Sequence, residues 1–132
     1  MKNLLIIALL AVSATCQNQA GITAANPLVE AEARVVGNQL PVDGCDAHIW
    51  LNIGSTSSAS STYMRLPTAA TRSLLDNVIK AESDKQPAGT LWMGTKDVTI
   101  RYRETDQTAT LLCGWNAKQE LKTIELLEIK AR

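Results

Sequence analysis

Apolar residues alternate with polar ones along several short stretches of the chain. Within residues 45–53, Ile49, Leu51 and Ile53 are in one phase and His48, Trp50 and Asn52 in the other; within residues 98–103, Val98, Ile100 and Tyr102 alternate with Thr99, Arg101 and Arg103. A period of two places each set on its own face of a strand. Residues 33–40, 63–66, 109–115 and 121–131 are further strand segments, the first broken by Gly37, which could mark a bulge, and the second stopped by Pro67. Turn residues stand between them: Pro41, Asp43 and Gly44, then Pro87 and Gly89, then Thr105-Asp106-Gln107, read as a hairpin turn leading into residues 109–115. The period changes once. Over residues 68–83, Leu74, Leu75, Val78 and Ile79 form one helical stripe, with Asp76 one turn before Lys80.

Three strands, one helix, then two or three strands is the succession of an oligonucleotide/oligosaccharide-binding (OB) type barrel. The expected fold is mainly β: a small antiparallel OB-like barrel of five to six strands, with the helix between strands 3 and 4 closing one end. A small open β-sandwich carrying the helix outside is the alternative.

The N-terminus sets the compartment. Lys2, the apolar run of residues 4–12 and the small Ser13-Ala14-Thr15 have the layout of a secretory signal over residues 1–15. The run is shorter than the ~20 apolar residues a membrane span needs. Cys16 follows directly, before Gln17-Asn18-Gln19, and resembles the lipid-acceptor cysteine of a bacterial lipoprotein. The usual motif has a large aliphatic residue where this chain has Ser13, and Gly, Ala or Ser where it has Thr15; ordinary cleavage nearby would leave Cys16 removed or free. Residues 16–30 read as anchor and flexible tether, residues 31–132 as one domain, and residues 55–62 (STSSASST) as a mobile loop. The chain is expected in the cell envelope, in the periplasm or on the outer membrane surface.

Cysteine arithmetic supplies a staple. With Cys16 used as an anchor, Cys45 and Cys113 remain, and an oxidising compartment joins such a pair. Charge removes two partner classes. Thirteen Lys and Arg balance thirteen Asp and Glu without a basic block, which argues against nucleic acid and against electrostatic attachment to anionic lipid, leaving the lipid anchor as the membrane contact.

The segments ARVVGNQLPVDGCDAHIWL, YMRLP, KDVTIRYRETDQTATLLCGW and LKTIELLEIK together resemble a group of small exported, lipoprotein-like bacterial domains. That group has a Gly-Cys turn after a strand, a Tyr-x-x-Leu-Pro segment, a second cysteine and an Ile-rich C-terminal strand. The resemblance implies an OB-like barrel with Cys45 and Cys113 bridged; it carries no activity to transfer. This chain departs from the group in its helical insert, residues 68–83, and in its Ser-rich loop.

The densest chemistry is VDGCDAHIW, residues 42–50. A nucleophilic Cys45 needs a free thiolate and a base in reach, yet on a strand Cys45 and His48 point to opposite faces. Zinc wants three or four ligands, and this chain has one histidine; Asp43 and Asp46 lack the further oxygens calcium needs. Asp43-Gly44 therefore reads as a turn and Asp46 as solvent-facing, and Asp43, Asp46 and His48 are expected to be replaceable at little cost. Glu104 with Asp106, or Glu125 with Glu128, read as surface charges rather than an acid/base pair, and no Gly-x-Ser-x-Gly motif is present. The reading is a non-catalytic module, without cofactor or metal, that binds a partner protein or small ligand; a purely structural domain or a hydrolase are the alternatives. With no Phe, the three Trp and two Tyr are the whole aromatic supply. Trp50, His48 and Tyr63 form the expected ligand face, Trp50 being the tryptophan expected outside the core.

Overall fold

The structure, a computed structural model, describes residues 26–51 and 63–132. The expected signal stretch, Cys16, most of the expected tether and residues 55–62 lie outside the described residues. Five strands close a barrel: β1 (Val29–Val36), β2 (His48–Leu51), β3 (Met64–Pro67), β4 (Thr95–Cys113) and β5 (Ala117–Ala131). Their order around the barrel is β1-β2-β3-β5-β4, with β4 returning to β1. All contacts are antiparallel except β3 with β5, where Leu66 and Pro67 run parallel to Thr123 and Ile124. With helix α1 (Arg72–Ser83) between β3 and β4, this is an OB-like barrel.

The two periodicities build one interior. Ala33, Val35, Ile49, Leu51, Val98, Ile100, Tyr102, Ile124 and Leu126 project inward, and Leu75 enters from the helix, with Leu74, Val78 and Ile79 packed beside it. The helix is tied to the wall at its start: the Thr71 hydroxyl accepts the Leu126 N–H at 3.2 Å and leaves the helix end without a side-chain cap. The expected Asp76–Lys80 pair is replaced by two pairs one turn apart, Arg72–Asp76 at 3.0 Å and Lys80–Asp84 at 2.7 Å. The basic residue leads in both: Asp76 has a basic residue four positions to either side and Lys80 an acid four positions to either side, and each pairs with its other neighbour.

Three expectations change. β1 begins at Val29, four residues before the expected strand, and Gly37 ends it rather than forming a bulge. Gly37 donates to the Gly94 carbonyl at 2.8 Å while the Trp92 ring and carbonyl lie where a Cβ would be. The third change is the largest. Thr105-Asp106-Gln107 is no hairpin turn: β4 runs on through it, and these three residues bulge opposite the single Thr123 of β5. Thr105 Oγ1 donates to the Thr123 carbonyl at 3.0 Å and accepts the Gln107 N–H at 3.2 Å, satisfying backbone groups that the ladder leaves over. The true turn is Gly114–Asn116.

Candidate functional site

Beyond the bulge, residues 108–122 of β4 and β5 form a two-stranded arm that leaves the barrel wall. Alternation puts Ala109, Leu111 and Cys113 on one side of it, with Leu121 and Gln119 directly opposite Ala109 and Leu111. On β2 and β3, Trp50 stands opposite Met64, in the phase that faces out of the barrel. The arm folds onto this outer face. Met64, Leu66, Leu111, Cys113 and Leu121 make a second core, with Cys45, Trp50 and Ala109 packed against it, separate from the barrel interior.

The far end of the arm is fastened to the turn between β1 and β2. Cys45 and Cys113 form the expected disulfide. Asp46 donates its N–H to the Leu112 carbonyl and Gly114 donates to the Gly44 carbonyl, each at 2.8 Å. Gly114 allows the approach, since a Cβ there would strike the Asp43 backbone. Asp43 itself closes a 3-10 turn, Leu40–Val42, in a left-handed conformation (φ 60°), so the Asp43-Gly44 turn is as expected.

The arm changes the surroundings of the expected ligand face. His48 is only 2% exposed, and its ring lies 6.0 Å from that of Trp50, which is half-buried. Tyr63, half-buried, stands in a 3-10 turn one residue before β3. His48 and Trp50 thus come together on β2, in the phase that faces out of the barrel and on which the arm lies. His48 is therefore not the freely replaceable surface residue that its polar phase suggested.

His48 Nδ1–H donates to the Asp46 carbonyl at 2.7 Å, which leaves Nε2 as the acceptor nitrogen of the neutral ring. Burial pushes the His48 pKa below its ordinary 6.5, partly offset by that hydrogen bond and the Asp46 charge. The unfolded chain then takes up this proton more readily than the native state. Stability is complete above the ordinary value and is lost as pH falls through it towards the depressed native one. The denaturation midpoint should fall between about pH 7 and 5, and less steeply in His48→Gln; identical profiles in the two chains would remove His48 as the cause. Glu82, held below its usual range by hydrogen bonds first from Lys85 and then from Lys96, acts only at more acid pH.

Three of the four carboxylates considered for catalysis have basic partners. Glu104 meets Arg65 at 3.3 Å, Glu125 meets Arg103 at 3.2 Å, and Glu128 lies between Arg101 and Lys130. Among the described residues, no three His, Cys, Asp or Glu gather as metal ligands would.

The exposed tryptophan is Trp115, not Trp50. It occupies the tip of the arm with 91% of its surface in solvent; Val42, on the turn to which that tip is fastened, and Leu112 are also exposed, whereas Trp92 packs against the barrel core. Trp115 (φ 56°, ψ 29°) and Asn116 (φ 56°) are both left-handed, and Ala117 donates back to the Gly114 carbonyl. Two successive left-handed residues make a type I′ turn, whose first position ordinarily takes Asn or Gly. A tryptophan there is held at a cost of about 1–2 kcal/mol. Comparison of the chain with protein-family models, curated proteins and solved structures gives no match.

Proposed function

We propose that the chain is an exported, non-catalytic β-barrel module, held to the membrane through a lipid on Cys16, that binds a partner protein or small ligand in the cell envelope through the end bearing Trp115. The observation that carries this reading is Trp115 itself: a large aromatic kept in solvent at a strained position on a turn fastened by a disulfide. Strain held by the surrounding structure points from conformation to function. A rigid exposed indole is also the ordinary anchor of a binding surface, because little freedom is lost on association. A purely structural domain has no use for it, since Asn at this position would relieve the turn.

The test is photo-crosslinking in the envelope from a benzophenone side chain introduced at position 115 of the full chain, with Leu127, exposed on the barrel part of β5, as the control position. A discrete adduct from position 115 and none from 127 is expected. Cys16→Ser should release the chain from the membrane fraction and remove the adduct. Trp115→Asn should melt no lower than the parent, since the left-handed strain is relieved by roughly 1 kcal/mol. The same products from both positions, or none from either, would favour the purely structural reading.

A further inference from the structure

The arm covers its face imperfectly. Among the described residues, three buried side-chain polar atoms have no hydrogen-bond partner: His48 Nε2, Trp50 Nε1 and Gln119 Oε1. Trp50 packs against the second core from β2 with the His48 ring 6.0 Å from its own, and Gln119 stands on the arm, opposite Leu111. Buried polar groups are nearly always paired, and three orphans on one internal surface mark a closed state that is not the best these groups can reach. Opening to water would satisfy all of them.

The arm also has a hinge and a latch. The hinge is the bulge, where three turn-forming residues, Thr105-Asp106-Gln107, face Thr123 and the register shifts between Glu104 and Thr108. The latch lies at the other end. There the disulfide and the two backbone bonds from Asp46 and Gly114 hold the tip to the β1–β2 turn, while on the arm's outer face the Thr110 hydroxyl donates to Glu120 and keeps its two strands together.

From these features we infer that the arm is a thiol-releasable cover over the β2–β3 face, closed while Cys45 and Cys113 are bridged and able to swing at residues 105–107 once they are not. The reductant is a dithiol. One thiolate attacks Sγ of Cys45, the better exposed residue of the pair, the sulfur–sulfur bond breaks, and Cys113 leaves as a thiolate that takes up a proton. The second thiol of the reductant then loses its proton, attacks its own sulfur in the mixed disulfide and frees Cys45. The protein gains two electrons and two protons, and the dithiol becomes a disulfide. Opening bares His48, Trp50, Met64 and Leu66, a face carrying an indole donor and an imidazole acceptor, which in barrels of this type lies where ligands bind. The device stands independently of the reading of Trp115.

Hydrogen exchange tests it, on the full chain carrying Cys16→Ser, bridged and then reduced with dithiothreitol. In the bridged protein the amides of Leu111, Cys113, Gln119 and Leu121 should exchange within about tenfold of barrel amides such as Ile100 and Leu126, because the arm opens only when the domain does. After reduction the arm amides should fall roughly 100-fold or more below the barrel amides in protection, and the Trp50 indole proton should exchange with the arm. The Cys45→Ser/Cys113→Ser chain should behave as the reduced protein. Arm and barrel losing protection together, or neither changing, would overturn the inference: the bridge would then be a staple for the whole domain, or the arm would be held by packing alone.

Discussion

Leu75→Ala should lower the unfolding free energy by about 2–5 kcal/mol, the range for deleting a fully buried leucine side chain. Leu75 is the one fully buried residue of α1, seated in the barrel interior with Ile49, Ile100 and Ile124 among its cluster. The barrel walls are tied by strand pairing on every side and cannot close over the space a missing isobutyl group leaves. The cavity term should therefore add to the lost transfer energy, and the loss should fall in the upper half of that range. Ile79, only half-buried on the same stripe, is the internal control, and Ile79→Ala should cost clearly less. Denaturant titration with an unchanged slope checks the comparison. A Leu75→Ala loss below about 1 kcal/mol would mean that the helix lies against the barrel without plugging it.

The barrel was legible because its interior obeys a single rule. Val98, Ile100 and Tyr102, or Ile49 and Leu51, alternate so regularly that strand, face and core follow together, and the change of period at Leu74 and Leu75 places α1. The arm was not legible for the same reason. Ala109, Leu111 and Cys113 have the same period as the barrel interior, and alternation cannot tell an inward face from an outer face that another segment covers. The polar phase accordingly sets His48 and Trp50 on an outer, ligand-facing surface rather than beneath another segment. Thr105-Asp106-Gln107 do announce a departure from the ladder, but turn chemistry does not say whether the chain reverses or only bulges. Trp115 was hidden by its own preference: tryptophan favours strands, so residues 109–115 read as one extended segment, and nothing local forecasts a left-handed indole at a turn.

Replacing both Cys45 and Cys113 by alanine should give the second large effect, a fall in melting temperature of the order of 10 °C. The bridge spans a sequence separation of 68 residues, and closing a loop of that size typically contributes about 2–4 kcal/mol by restricting the unfolded chain. In a domain this small each kcal/mol moves the midpoint by roughly 4–8 °C. Native packing sets where in that range the loss falls. Cys113 is buried in the second core against Leu111 and Leu121, so losing its sulfur also thins the contact between arm and barrel. The fold itself should persist. The barrel interior contains neither cysteine, and β4 still pairs with β1 and β5 over their full registers. Far-UV circular dichroism of the double variant should match the parent at low temperature, while calorimetry shows the lower midpoint and a broader transition as the arm loosens before the barrel. A midpoint within about 3 °C of the parent would show that the second core and the hydrogen bonds from Asp46 and Gly114 hold the arm without the bridge.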